Sequence, residues 1–252
     1  MNRNEILEAG SISAIVVRVS WAEVELLADD VKDIQLIISG TDEDVGDISL
    51  TQQDGKLRLE QTVRSLAPRL NGIRWIQIMI RVPKDWKGSA EVISVSGDIS
   101  LRGLTGTDMT AETVSGRIHA TDLECITLCL QSVSGTITGS SLWGDTATVK
   151  SASGSITLHR SAFRRYKLTE VSGETEIEMA APFEDFTGNT VSGDVRLTVP
   201  MAAVDSRVKT VSGRIRTSGV SLADGAPRLS LAGVSAGLEI IASQQNSEPT
   251  TI

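Results

Sequence analysis

The sequence predicts an all-β protein: a single-domain parallel β-solenoid (β-helix) with 19–20-residue coils and a less regular N-terminal β region. Three observations carry this. First, the tripeptide Val-Ser-Gly recurs at residues 95–97, 114–116, 133–135, 171–173, 191–193 and 211–213. Ala152-Ser153-Gly154 is the same unit with one substitution, and Val234-Ser235-Ala236 is a decayed copy. The copies follow one another at 19, 19, 19, 19, 20, 20 and 23 residues, and self-similarity at a fixed period marks a repeat architecture. Second, apolar and polar residues alternate after each glycine, as in Asp98-Ile99-Ser100-Leu101. Period two is the signature of a strand with one buried face. Third, 40% of the 252 residues are hydrophobic but only three Phe, four Trp and one Tyr are present. The core is therefore aliphatic.

Residues before about 90 lack the fixed spacing but share its chemistry. The stretch Asn4–Ala9 is placed to form a short capping helix over an open end of the stack. Ile15–Val19, Val24–Leu26, Ile34–Ile38 and Ile76–Ile80 read as strands, and Gly46-Asp47-Ile48-Ser49-Leu50 repeats the downstream pattern. Gln53-Asp54-Gly55-Lys56 reads as a hairpin turn. The acidic run Asp42-Glu43-Asp44 lacks the spacing of a calcium loop and reads as a surface turn. Trp21, Trp75 and Trp86 cap or thicken these first coils. The expected organisation is irregular N-terminal β coils or a cap over 1–90, the regular Val-Ser-Gly repeat over 91–242, and a disordered polar tail over 243–252. A separate small β domain at the N-terminus is the alternative.

Within the repeat, an apolar residue stands two places after each glycine: Ile99, Ile118, Ile137, Ile156, Val195, Ile215 and Leu238, with Thr175 the exception. One unit cannot bury its apolar face alone. Stacked coils pair their main chains about 4.8 Å apart and turn equivalent residues into core columns. The structural repeat residues form two further columns. Ser96, Ser115, Ser134, Ser153, Ser172, Ser192 and Ser212 supply small side chains whose stacked hydroxyls can hydrogen-bond one another. Gly97, Gly116, Gly135, Gly154, Gly173, Gly193 and Gly213 supply backbone freedom at the corner. Thr105-Gly106 and Gly144-Asp145 read as breaks between units.

An extended segment ending Ile80-Arg81-Val82-Pro83, followed by reiterated Val-Ser-Gly-Asp-Ile-Ser-Leu units, resembles a bacterial β-strand-repeat family of unknown function usually labelled "putative adhesin". The resemblance spans roughly residues 10–242. It implies the fold, and it brings no catalytic or ligand-binding residues with it. Some relatives look like cell-envelope or envelope-stress proteins with membrane segments. This chain shows no apolar signal core, span or wall anchor, so a cytoplasmic location is expected, with the cell surface as the alternative.

Acids outnumber bases, 32 to 24, for a net charge of −8. That opposes binding to nucleic acid or an anionic membrane. Cys125 and Cys129 lie about 13 Å apart along one strand, too far for a disulfide. Two thiols without further ligands make no metal site. No phosphate loop, dinucleotide fingerprint or nucleophile elbow is present, so no catalytic, cofactor or metal residues are assigned. Weak surface candidates remain. Glu174, Glu176 and Asp194 fall close together on adjacent coils, as acid–base carboxylates do, but Arg196, Arg214 and Arg216 fall among them, which is the pattern of a solvated mixed-charge face. Arg160, Arg164, Arg165 and Lys167 form the one basic run, around Phe163 and Tyr166, and read as a protruding loop. His119 and His159 occupy different columns with no acid in a fixed relation to either.

These readings predict a non-enzymatic scaffold or binding module for an unknown protein or glycan partner, adhesin-like by fold alone. An intracellular regulatory module linked to envelope stress or membrane partners is the first alternative, and a carbohydrate-active β-helix enzyme the second. The open ends of the stack also suggest end-to-end homo-oligomers.

Overall fold

The computed structural model describes residues 2–62 and 75–243. The tail expected to be disordered lies, from residue 244 onward, outside the described residues. In chain order the strands are β1 (Asn2–Leu7), β2 (Ala14–Val19), β3 (Glu23–Asp29), β4 (Ile34–Gly40), β5 (Ile48–Gln53), β6 (Lys56–Gln61), β7 (Ile76–Pro83), β8 (Ser89–Ser94), β9 (Ile99–Arg102), β10 (Thr105–Thr113), β11 (Ile118–Ser132), β12 (Ile137–Ser151), β13 (Ile156–Met179), β14 (Asp185–Val199), β15 (Ala203–Ser212), β16 (Ile215–Ser218), β17 (Ser221–Leu222), β18 (Arg228–Ser235) and β19 (Leu238–Ala242). One five-residue helix, α1 (Asp42–Gly46), interrupts them.

The apolar ladder is the spine of the fold. Ile99 pairs with Ile118, Ile118 with Ile137 and Ile137 with Ile156, all in parallel register, and none is more than 1% exposed. Each buried member contributes about 1.5–3 kcal/mol. From β8 to β14 successive rungs stack in chain order.

At both ends the chain order breaks. β2 lies between β6 and β8, and β3 between β7 and β9, so the first rung is an insert. Beyond it β4 runs antiparallel to β7, β1 antiparallel to β4, and β5 antiparallel to β6. At the other end β18 lies between β14 and β15, and β19 between β14 and β16. The decayed repeat is therefore the penultimate rung, and the rung carrying Gly213 is the last. Burial explains the exchange. The inward residues of β18 and β19 are Leu229, Leu231, Leu238 and Ile240, all buried. Their register partners on β15 and β16 are Ser206, Val208, Ile215 and Thr217. The more apolar unit takes the position covered on both sides.

Several local expectations are corrected. Asn4–Ala9 is not a capping helix: β1 spans Asn2–Leu7, because six residues make a marginal helix while the edge of β4 offers a full ladder. Asp42-Glu43-Asp44 opens α1 rather than a plain turn. Thr41 caps it, its Oγ1 accepting from the Asp44 N–H at 3.2 Å, and the three acids sit in the first turn, where the helix dipole favours them. The hairpin at Asp54-Gly55 is as expected, with both φ positive (50° and 73°), the geometry of a type I′ turn. Trp86 thickens the first rungs, burying its ring and donating Nε1–H to the Ile12 carbonyl at 2.8 Å.

The corner chemistry also differs from expectation. The serine hydroxyls do not bond one another. Ser115, Ser134 and Ser153 each donate to the Val carbonyl of the preceding rung, at 3.3, 3.1 and 3.3 Å. Apart from Gly173, whose φ is 153°, the corner glycines serve close approach rather than φ: a Cβ at Gly116, Gly135 or Gly154 would lie 2.1, 1.7 or 2.0 Å from the preceding glycine's carbonyl oxygen. Thr105-Gly106 and Gly144-Asp145 are not breaks but run within β10 and β12, Gly144 pairing with Cys125 and Phe163. The turn they were expected to make occurs instead at a column of left-handed residues: Gly103, Asp122, Ser141, Arg160 and Gly219, with φ between 52° and 71°. A β-carbon there is strained. Ser141→Gly is therefore expected to raise the thermal midpoint by one or two degrees, corresponding to about 0.5 kcal/mol after the entropy cost of glycine. Calorimetry of the two proteins checks this.

Candidate functional site

The sequence candidates Glu174 and Asp194 do come together, in a groove of about 390 Å³ shared with Arg196, Arg214, Arg216 and Glu239. Its shape follows from the out-of-order rung. Outward positions one after the corner run Glu174, Asp194, Gly237, Arg214 in space. Gly237 has no side chain, so the groove opens between a carboxylate wall and a guanidinium wall about two rungs, roughly 10 Å, apart. Asp194 Oδ1 accepts from the Gly237 N–H at 3.0 Å. The neighbouring column alternates in charge: Glu176, Arg196, Glu239, Arg216. Arg196 Nε donates to Glu239 Oε2 at 2.9 Å, whereas Glu176 does not line the groove.

The basic run is a strand, not a protruding loop. It lies in β13, where the alternation slips once at two adjacent arginines: Phe163, Tyr166 and Leu168 are buried, and Arg164, Arg165 and Lys167 are exposed. Tyr166 is the hub of an aromatic cluster, with ring centroids 5.6, 6.4 and 5.8 Å from Phe163, Phe183 and Phe186. Arg164 is held by Glu184 at 2.7 Å and by Asp145 at 3.1 Å, and Arg165 pairs with Asp145. These cations are neutralised within the face.

The histidines are exposed. His119 bonds the Thr138 and Thr121 hydroxyls at 2.8 and 2.9 Å. His159 does have an acid in fixed relation, Glu178 one rung on, at 3.4 Å. The two thiols are free, as spacing requires, and burial pushes Cys125 up to about 12. Among the described residues no group of three or more His, Cys, Asp or Glu could hold a metal.

Two features escaped the sequence reading. The first is a ridge. Val95, Val114, Val133, Val171, Val191 and Val234 are each 45–51% exposed, stacked along the corner on successive rungs and broken only at Ala152. The repetition was visible, but the alternation phase slips at this corner, so the side on which each valine falls was not. The second is Glu170. Three places before each glycine stands a hydroxyl: Ser94, Thr113, Ser132 and Ser151 accept from the N–H of Gly97, Gly116, Gly135 and Gly154 at 2.7–3.0 Å. In the fifth copy this place holds Glu170, and the core ladder position of the same unit holds Thr175. Glu170 is fully buried, and neither of its carboxyl oxygens makes a hydrogen bond of good geometry. Burial pushes its pKa up, against a smaller opposing pull from the facing hydroxyls of Thr175 and Thr190. The signal was present as a single acid in a column of hydroxyls.

Fold and surface together define an all-β repeat protein with long regular faces. The chain belongs to the Toastrack DUF4097 family, whose model matches residues 12–224. No curated protein matches it. Among solved structures it is similar to a putative adhesin from Bacteroides fragilis NCTC 9343, at 15% identity and a TM-score of 0.61, covering 96% of this chain and 97% of that one. It is also similar to a putative lipid binding protein (16% identity, TM-score 0.54, 97% and 96% covered) and a putative adhesin (13%, 0.55, 96% and 97%), both from Parabacteroides distasonis ATCC 8503. At these identities the likeness is one of fold. No helix among the described residues is long and apolar enough to cross a membrane.

Proposed function

We propose that the stacked rungs form a parallel β-solenoid of 19–20 residues per coil that acts as a non-enzymatic binding scaffold, and that the valine ridge is its working surface. The ridge carries this reading. A protein that buries most of its Ile and Leu residues nevertheless leaves a row of half-exposed valines uncovered, and contiguous exposed apolar surface marks contact sites. Val95, Val114 and Val133 sit on corners held by the serine and glycine hydrogen bonds beside them. The absence of catalysis is supported by the groove, where Asp194 is engaged by a main-chain N–H and Glu239 by Arg196. The labels of the similar structures, adhesin and lipid-binding, both describe proteins that hold something rather than transform it.

A photo-crosslinking amino acid placed at Val133 in the native host tests this, with Thr136 on the adjacent polar face as control. The expected result is one discrete adduct from position 133, absent from position 136 and lost when Val114 and Val171 are changed to Asp. Indistinguishable adducts from the two positions, or none from 133, would overturn the reading.

A further inference from the structure

Among the described residues one end of the stack is covered and the other is not. At the N-terminal end, antiparallel β1, β4 and β5 cover the first rungs. At the other end, no described strand pairs with the outer edge of β15 beyond Val204, where β17 stops, or with the outer edge of β16. The core ladder runs out there. Val195 and Leu238 are 1% exposed, but Ile215, the next rung of the same column, is 45% exposed. The valine ridge likewise ends on Val211, 84% exposed.

This edge is also basic. Over residues 203–222 the charged side chains are Arg207, Lys209, Arg214 and Arg216 against the single acid Asp205, in a chain whose net charge is −8. All four cations are exposed and none forms an ion pair among the described residues, whereas Arg164 and Arg165 on β13 and Arg196 on β14 are each held by a carboxylate. Lysine and arginine on an edge strand ordinarily deter unwanted pairing. The same charges admit a partner of opposite sign, so repulsion of one class becomes selection of another. They also oppose a two-fold pairing of this edge with itself, which would set like charges opposite each other.

We infer that the outer edge of β15 and β16 is the docking site for an extended acidic segment of a partner protein, which adds as a further rung by strand addition. Main-chain pairing supplies affinity and alternate side chains supply specificity. Apolar residues of the segment roof Ile215. Its carboxylates meet Arg207 and Lys209 on one side of the corner and Arg214 and Arg216 on the other. A segment of about 12 residues spans both strands. This surface meets the valine ridge only at its last member, Val211, and the ridge positions tested above lie on distant rungs, so the two proposals are tested independently.

The probe is a fluorescein-labelled 12-residue peptide of alternating Glu and Val, titrated into the full chain and followed by anisotropy. A Lys/Val peptide and an N-methylated Glu/Val peptide, which keeps the charge but cannot pair, serve as comparisons. The Glu/Val peptide is expected to bind at least tenfold more tightly than either. Arg214→Glu with Arg216→Glu should weaken it at least tenfold, while Val133→Asp on the ridge leaves it unchanged. Amide hydrogen exchange should slow at 205–218 on binding. Equal affinity for the acidic and basic peptides, no binding at millimolar peptide, or slowing confined to another region would overturn the inference. So would self-association in sedimentation that the arginine variants abolish, since the occupant would then be a second copy.

Discussion

Gly135→Val is expected to lower the thermal midpoint by on the order of 10 °C, and Thr136→Val, one residue on, to leave it within about a degree. The difference lies in what each side chain meets. A Cβ on Gly135 would stand 1.7 Å from the Gly116 carbonyl oxygen, and the obstacle is main chain, which no rotamer can move. The two rungs would have to separate at the corner. That also strains the Gly135 N–H bond to Ser132 Oγ, 2.7 Å, inside a site buried from water. Overpacking together with a weakened buried hydrogen bond amounts to about 3–5 kcal/mol, or roughly 10 °C in a chain of this size. Thr136 alternates outward and meets solvent. Gly10→Val is a further control, because nothing lies within 4 Å of its Cβ position. A midpoint for Gly135→Val equal to that of Gly10→Val would mean the rungs do not approach so closely, and the column account of the corner would fail.

The same corner shows how far the sequence could be read. Fixed spacing identified which residues are equivalent, because every rung must repeat the geometry of its neighbour, and Ile99 through Ile156 fall in register as the period requires. Spacing does not say which equivalent unit lies next to which. The exchange of the last two rungs was therefore hidden, although comparing Leu229, Leu231, Leu238 and Ile240 with Ser206, Val208, Ile215 and Thr217 would have ranked them for burial. The groove suffered likewise: Glu174 and Asp194 were placed together from their neighbouring rungs, but Gly237 enters from a rung out of order and was not anticipated. Arg164 and Arg165 were misread because four charges near one another suggest a loop, and because these two adjacent outward arginines interrupt the period-two alternation that Tyr166, Lys167 and Leu168 resume. The reason for the glycines was misassigned for a related cause. A sequence shows a missing side chain but not whether φ or a neighbour forbids it.

Glu170→Ser is expected to stabilise the protein, and to stabilise it more at pH 8 than at pH 5. The substitution restores the hydroxyl found at Ser94, Thr113, Ser132 and Ser151, which accepts from the corner N–H. It also removes a buried carboxyl that makes no well-formed hydrogen bond, which corresponds to about 1–3 kcal/mol and several degrees. The pH dependence follows from the direction of the shift. In the unfolded chain the carboxyl ionises near its ordinary value of 4.5, and in the fold burial raises that value. Between the two, the native state keeps a proton that the unfolded state has lost, so wild-type stability falls as pH rises through this window. Below pH 4.5 the acid is neutral in both states and the penalty is absent. Denaturant unfolding of both proteins from pH 4 to 9 should show the wild type losing ground steadily while Glu170→Ser does not. Glu174→Ser, four residues away on the open face, should track the wild type. Parallel profiles for wild type and Glu170→Ser would mean that the carboxyl is solvated in the native state. Sloping profiles would instead locate a polar weak point in the spine where Glu170, Thr175 and Thr190 interrupt the aliphatic ladder. That point lies one rung from the position where the chain abandons its stacking order, and Thr175 is also part of the groove lining. Ionisation of Glu170 would thus loosen the stack directly behind the groove's acidic wall.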